Sequence, residues 1–443
     1  MKINMPKNVE SAINKLIENG FCAYIVGGCV RDSLLGLSPY DWDIATSATP
    51  EEMIRVFKNS KVIETGIKHG TLTVIIDSSP LEITTLRIDG EYKDNRHPVD
   101  VSYTSDLSKD LSRRDFTINA MAYNRNEGLI DCFSGIDDLN RKLIRCVGEP
   151  DRRFNEDALR ILRGLRFSST LGFEIEEKTG QSILMNKDLL KNISVERIQK
   201  ELIKLLCGKN VEEVLLNYNN VIFTIIKELE PLYKLKQENK YHNLNVWEHT
   251  VRSVSSIPPV AELRMAMLLH DIGKAPCTTT DKNGVSHFYG HPKVSVDISD
   301  KVLHSLRFPK KFIENVLTLI EYHDARIYEN PKQFKRLLGR LGDKRFRQLL
   351  LVMRADITAQ SPELIERLKL VDAAEKRLDE IINSKSCLNL SDLAVNGNDI
   401  VNVGVSQGKK VGKVLEYLLN EVLESKVDND KEKLLEYLKN YIK

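Results

Sequence analysis

"FCAYIVGGCVRDSLLGLSPYDWDIAT" (21–46) is the stretch on which the reading of this 443-residue chain turns. FCAYIV is a short apolar run, as expected of a buried strand, and it ends in the Gly27-Gly28 turn. VRDSLLGL reads as a short helix and DWDIAT as a second strand. Glycines after a strand let a backbone approach phosphates closely, and the following helix adds amide donors beside Gly28 and Arg31. Residues i and i+2 of a strand share a face, so Asp41 and Asp43 are expected to converge. Two carboxylates that close repel unless a cation lies between them. Mg²⁺ takes hard oxygen ligands and commonly joins carboxylates to substrate phosphates. A Gly-Gly turn and an Asp-x-Asp are each ordinary features of turns and caps. Their succession is what points to metal-assisted phosphoryl chemistry.

Outward from this stretch, TLTVIID and PLEITTLR read as further strands, and the second carries Glu82. Glu82 is a candidate third carboxylate beside the metal; a salt bridge to Arg87 is the plainer alternative. "DLSRRDFTINAMAY" (110–123) sets two arginines beside an acid and an apolar run. Guanidinium forks suit triphosphate oxygens, and partly buried arginines such as Arg114 need partners. In "EPDRRFNEDALRILRGLRF" (149–167), Ala158, Ile161, Leu162 and Leu165 form an apolar stripe. Asp157, Arg160, Arg163 and Arg166 follow at three-residue steps and are expected as a ridge beside it. An Asp–Arg pair is usually a surface ion pair. It also matches the amino donor and ring-nitrogen acceptor that cytosine and adenine share, and it mismatches uracil and guanine.

"GGCVRD…DWD", "RRDFTINA", "EDALR" and "SVERIQKEL" (194–202), in this order and spacing, resemble the bacterial tRNA nucleotidyltransferases, the class II CCA-adding enzymes of the polymerase-β-like superfamily. The resemblance is dense over residues 20–210. It implies template-independent addition of C, C and A to the tRNA 3′ end from CTP and ATP. It also implies Mg²⁺ on Asp41 and Asp43, and triphosphate on Gly28, Arg31 and Arg114. Asp157, Arg160, Arg163 and Arg166 would then bind and select the base and phosphates. A bacterial poly(A) polymerase and an A-only adding enzyme share these motifs and stay open. A CC-only enzyme is disfavoured, because the polar stretch 87–111, which such enzymes are expected to shorten, is complete.

Six of the nine histidines lie between 249 and 323. NVWEH, LLHDIGK, YGHP, EYHDAR and MRADITA present His249, His270, Asp271, His291, His323 and Asp356, a mixed N/O donor set suited to a divalent transition metal. Lone histidines are more often ordinary core or surface residues. The set resembles the HD phosphohydrolase superfamily. That resemblance implies metal (Ni²⁺, Co²⁺, Mn²⁺ or Zn²⁺) on His249, His270, Asp271 and Asp356. His291 and His323 would complete a second metal site or bind phosphate, and Lys274 would hold phosphate. If active, such a site would hydrolyse a phosphoester, for instance a 2′,3′-cyclic phosphate on a damaged RNA end. An HD hydrolase or nucleotide sensor with a degenerate head is the reading from another class, and the intact carboxylates and arginines argue against it.

The fold class expected is α+β. A nucleotidyltransferase head with a mixed sheet (1–145) is followed by a helical neck (146–235), an HD body (236–360) and a helical tail (361–443). Helical periodicity dominates after residue 155. The basic segments 301–312, 332–348 and 406–413 are candidates for tRNA backbone contacts, or else solvated helix faces. A net charge of +2 neither demands nor excludes nucleic acid. Seven scattered cysteines without a Cys-x-x-Cys pair suit a reducing cytoplasm. The N-terminal helix lacks a signal-peptide core, and no apolar run approaches the roughly 20 residues that span a bilayer.

Overall fold

The computed structural model describes residues 2–90, 100–235, 245–282, 285–327, 330–360, 366–384 and 386–442. They form two compact units, Met1–Lys227 and Glu228–Lys443. The expected boundaries near 150 and 360 fall inside these units.

The first unit opens with the amphipathic helix Lys7–Glu18, which buries Val9, Ala12, Ile13 and Leu16. It stops before Gly20, whose φ of +87° suits a residue without Cβ. The sheet runs Lys61–Ile63, Thr71–Ile76, Ser79–Thr85, Asp43–Thr46, Ala23–Val26, Met121–Asn124, Gly128–Asp131. All four residues of Ala23–Val26 are buried, which explains both its apolar composition and its interior place. Every adjacent pair is antiparallel except Asp43–Thr46 with Ser79–Thr85. That parallel pairing puts Asp43 in register with Glu82. The strand begins at Asp43, so Asp41 lies in the extended segment before it rather than within the strand. Of the polar stretch 87–111, Arg87–Asp89 and Val101–Tyr103 form a short antiparallel ladder; 91–99 lie outside the described residues.

Beyond the sheet the unit is helical, but the EDALR segment departs from expectation. Helix Pro150–Glu156 ends at Asp157, whose backbone is extended (φ −138°, ψ 101°), and the next helix is Leu159–Leu171. Asp157 therefore does not sit on the ridge with Arg160, Arg163 and Arg166. Its carboxylate accepts the Leu159 amide at 3.1 Å, a local bond that competes with helix continuation. SVERIQKEL lies in helix Val195–Leu206, as expected.

The second unit contains helices Val246–Ser256, Ala261–Leu269, His291–Ser305, Lys310–Tyr322, Leu368–Asn383 and Lys409–Leu423. The run Pro331–Thr358 is two helical stretches that meet at Gly342, whose backbone is non-helical (φ +73°, ψ 163°). Among the described residues no helix is long and apolar enough to cross a membrane.

Ile44, 1% exposed, anchors the Asp43 strand in the core. Ile44→Ala is expected to cost about 2–5 kcal/mol, read as an earlier denaturant transition of the first unit. A cost within 0.5 kcal/mol, roughly what neutral surface changes show, would contradict this packing.

Candidate functional site

A cleft of about 530 Å³ in the first unit gathers the residues that the sequence singled out. Gly27, Gly28, Arg31, Asp41, Asp43, Arg114, Asp157, Arg160, Arg163 and Arg166 all line it, with Tyr40, Arg113, Asp115, Asn119, Phe167 and Lys204. Gly27 has φ +78°, and a Cβ there would come within 3.1 Å of Arg114 Nη1. The turn therefore needs glycine for its conformation and for the guanidinium beside it. Glu82 is not part of this cleft; it lines an adjoining cavity that shares Asp41 and Asp43. Arg87, its alternative partner in sequence, pairs with Asp89 at 3.0 Å.

Asp43 shows why the carboxylates call for a cation. Desolvation by burial raises its carboxyl to about 6, with Asp41 adding to the rise and Arg114 opposing it. A divalent ion would relieve that repulsion, and hard carboxylate oxygens are the donors Mg²⁺ takes. The residues present thus fit the ion.

The same cleft holds an array of guanidinium groups, each engaged by an acceptor. Arg31 donates to Asp32 (2.7 and 2.9 Å) and Asn119 (2.6 Å). Arg113 and Arg114 both donate to the buried Asp110, at 2.6 and 3.2 Å. Burial would raise Asp110, but these two charges outweigh it and hold the carboxyl low. Arg163 grips Asp115 through Nε and Nη2 at 2.7 and 2.6 Å. Burial pushes Asp115 up, Arg163 overrides it, and the carboxyl settles at about 2. Arg166 donates to Glu201 at 2.8 Å and lies over the Phe167 ring, 3.7 Å from its centroid. Arg31 and Arg163 approach the same ring at 5.1 and 5.3 Å.

Asp157 and Arg160 share the cleft without pairing to each other in the ion pairs described. Asp157 is held by Arg197 at 3.0 Å and Arg160 by Glu156 at 3.0 Å. Asp115, Asn119, Phe167, Arg197 and Glu201 escaped the sequence reading. All five lay inside quoted motifs, Arg197 and Glu201 within SVERIQKEL, but only their contacts reveal what they do.

The second unit assembles the histidine set. Each imidazole presents Nε2 inward and directs Nδ1 to a main-chain carbonyl: His249 to Ala359, His270 to Met267, His291 to Phe288 and His323 to Ile320. His249 Nε2 lies 2.9 Å from Asp356 Oδ1 and 3.5 Å from Asp271 Oδ2; His270 Nε2 lies 3.2 Å from the same Asp271 oxygen. Lys274 Nζ sits 2.6 Å from that oxygen. Burial drives His323 down to about 3, so it stays neutral. Burial also pulls His270 down, but Asp271 and Asp356 prevail and lift it to about 10. A proton there stands where a metal would compete. His249, His270 and Asp271 form one group of donors within metal reach, and Asp271, His291 and His323 another. The carbonyl-anchored imidazoles with carboxylates fit a divalent transition metal. A cavity of about 410 Å³ is lined by Asp271, His291, His323 and Asp356, with Lys274, Arg326 and Arg367. Gly273 is required here by close approach, since a Cβ would fall 2.5 Å from Ser295 N.

Known proteins resemble both halves of the chain. The family profile described as "Poly A polymerase head domain" matches residues 23–145, and "tRNA nucleotidyltransferase domain 2" matches 290–438. The CCA-adding enzyme of Ligilactobacillus salivarius is 34% identical over 443 residues, covering 99% of this chain and 98% of that protein. That of Lactobacillus delbrueckii subsp. bulgaricus is 53% identical over 198 residues, spanning 45% of this chain and half of the relative. The crystal structure of Bacillus stearothermophilus CCA-adding enzyme in complex with CTP superposes with a TM-score of 0.73 at 30% identity, covering 99% of this chain and 98% of that one.

Asp115→Asn tests the charge lattice. The folded carboxyl at about 2 lies below its unfolded value of 3.8, so its contribution is present above pH 4 and is lost as pH falls through 2. At pH 7 the substitution is expected to cost about 2 kcal/mol. The gap between variant and parent, measured by urea unfolding, should shrink steadily below pH 4. A gap independent of pH would refute the ion pair's role.

Proposed function

The chain belongs to the CCA-adding enzyme family, and from that premise we infer that it adds C, C and A to the tRNA 3′ end from CTP and ATP, releasing pyrophosphate. The observation that carries this is the meeting of Asp41 and Asp43 with an acceptor-anchored arginine array in one cleft.

Arg31 and Arg114 face the triphosphate. Because Asp32, Asn119 and Asp110 fix their planes, they bind phosphate without first having to be ordered. Asp41 and Asp43 hold Mg²⁺, which supplies Lewis acidity for attack by the RNA 3′ hydroxyl and departure of pyrophosphate. Glu82, in register with Asp43, adds a third acid on the side of the adjoining cavity.

Asp157 and Arg160 select the base. Arg197 and the Leu159 amide each take one lone pair of the Asp157 carboxylate, leaving acceptor capacity for an exocyclic amino group. Arg160 engages Glu156, the Arg153 carbonyl and the Arg113 carbonyl, which is three of its five donors. A remaining N–H serves the ring nitrogen that cytosine and adenine share. Uracil and guanine would confront both groups with the wrong polarity. Arg163 and Arg166 complete the basic wall, and Asp115, Glu201 and Phe167 keep them in place.

The second unit receives tRNA through its exposed lysines, among them Lys301, Lys310, Lys311, Lys409, Lys410 and Lys413. The segment 332–348 contributes less, because Arg336, Arg345 and Arg347 are engaged with Asn420, Asn315 and Asp379. His249, His270, Asp271 and Asp356 hold a divalent transition ion (Ni²⁺, Co²⁺, Mn²⁺ or Zn²⁺) for hydrolysis of a phosphoester such as a terminal 2′,3′-cyclic phosphate. One site would then clean the RNA end that the other extends. The seven cysteines are free thiols, which suits the cytoplasm.

Asp41→Ala and Asp43→Ala should each slow nucleotide incorporation by on the order of 10³-fold or more, since the lost charge stabilisation is worth several kcal/mol. Binding of tRNA should persist. Extension of tRNA ending at the discriminator base, with filter binding as control, reads both; near-normal extension by Asp41→Ala would defeat the assignment. Asp157→Ala should admit UTP and GTP roughly 10-fold or more relative to CTP and ATP, since a mismatched polar pair costs over 1 kcal/mol. Single-nucleotide incorporation measures the ratio, and an unchanged ratio with a slower rate would place base selection elsewhere.

A further inference from the structure

The short antiparallel ladder of Thr279–Thr280 with Ser286–His287 leads into Phe288-Tyr289-Gly290-His291, and neither His287 nor Tyr289 belongs to the donor groups of the histidine cluster. Tyr289 is 78% exposed, yet polar contacts hold its ring in place. Asp281 Oδ1 accepts the Val285 amide at 3.0 Å, and Asp281 Oδ2 lies 3.1 Å from His287 Nε2. A carboxylate only accepts, so that Nε2 carries a proton. In the neutral ring Nδ1 is left to accept from the Tyr289 hydroxyl, 3.4 Å away. The two rings are stacked, with centroids 5.3 Å apart and planes within 8° of parallel. Imidazole covers one face of the tyrosine, so its exposure belongs to the other face and the edge. A lone exposed tyrosine is ordinary on a protein surface. One fixed in a hydrogen-bonded stack has already given up the rotamer freedom that a ligand would otherwise have to freeze.

Both rings line the 410 Å³ cavity that the buried cluster also lines. That cavity lies in the size range of small-molecule sites, and Lys274, Arg326 and Arg367 give it cationic groups suited to a phosphate. The platform is tied to the cluster by the main chain. Phe288 receives His291 Nδ1 on its carbonyl at 3.0 Å, and its ring lies 5.5 Å from Lys274 Nζ. Gly290, with φ +74°, is all that separates Tyr289 from His291, so the two stay within about 7 Å of backbone. A flat ring beside anion-binding groups matches a ligand that is planar and aromatic at one end and phosphorylated at the other. A phosphosugar would use the cations and leave the ring idle. We propose that the His287–Tyr289 stack is the platform on which the substrate's terminal nucleobase lies, so that this site takes a nucleotide end rather than phosphoesters in general. Stacking uses the π-face that every base has, so the platform accepts any of the four bases. This rests on the reading of the second unit's cluster as a phosphoester site and adds to it the group that recognises the rest of the substrate.

The test has two arms, both on the full chain. In the first, Tyr289→Trp places a fluorophore in the platform, and the chelator-treated variant is titrated with adenosine 2′-phosphate. Tryptophan emission should be quenched beyond any change in the parent, whose Trp42 and Trp247 give the background. Inorganic phosphate, which has no base, should not quench it. Equal responses to both ligands, or none to the nucleotide, would overturn the platform. In the second arm the metal-loaded chain hydrolyses adenosine 2′,3′-cyclic phosphate or glycerol 1,2-cyclic phosphate. Tyr289→Ala should raise KM for the nucleotide roughly 10-fold with kcat little changed, because stacking is lost alike from ground and transition states. Tyr289→Phe keeps the ring and should stay near the parent, and KM for the glycerol ester should not follow the alanine change. A parallel rise for both esters, or no rise for the nucleotide, would also overturn the proposal. Hydrolysis of neither ester by the parent would defeat the phosphoester reading, while the quenching arm still decides the platform.

Discussion

Like charges brought together must be held by something, and that constraint organises the first unit. The cleft concentrates guanidinium groups, and none of those described stands on its own charge. Arg163 leans on Asp115, Arg166 on Glu201, Arg113 and Arg114 on Asp110, and Arg31 on Asp32 and Asn119. Removing one partner from such a buried pair leaves the other charge uncompensated, which destabilises the fold. The acceptors do more than stabilise. They fix guanidinium planes before substrate arrives, which lowers the ordering cost of binding a triphosphate. Phe167 serves the same end by giving three guanidinium groups one ring to approach.

The sheet supplies the opposite charge. An interior strand, Ala23–Val26, ends at glycines that leave room for Arg114, and its neighbour begins at Asp43. Parallel pairing with Ser79–Thr85 then brings Glu82 alongside Asp43. Acids and arginines line the same cleft, and each of these arginines has a further acceptor of its charge or its N–H groups. A nucleotide triphosphate with its metal is the complement of that arrangement.

The second unit solves a related problem with imidazoles. Four helices and the turns at their ends deliver His249, His270, His291 and His323 to one buried point, and main-chain carbonyls fix every ring. His270 and His323 sit where helices Ala261–Leu269 and Lys310–Tyr322 end, while His291 begins a helix. Rings held this way keep Nε2 turned inward even without a ligand, which is what preorganises a metal site.

The sequence by itself determined the α+β class, the strands on either side of Gly27-Gly28, the helical second half and most residues of both clusters. These rest on local periodicity and on residue types whose chemistry has few uses in combination, such as acids beside a glycine turn or His-Asp on a helix. Only the tertiary structure decided the partnerships. Asp115 finds Arg163 forty-eight positions away, and Asp157 finds Arg197 forty positions away. The three-residue spacing that put Asp157 on a ridge with Arg160 was overridden by one side-chain bond to the Leu159 amide. Asp271 belongs to both imidazole pairs, although His291, His323 and Asp356 lie 20 to 85 residues further along the chain. Spacing along a chain fixes which side chains share a face. Which charges meet depends on packing between distant elements, and that is settled only when the whole core closes.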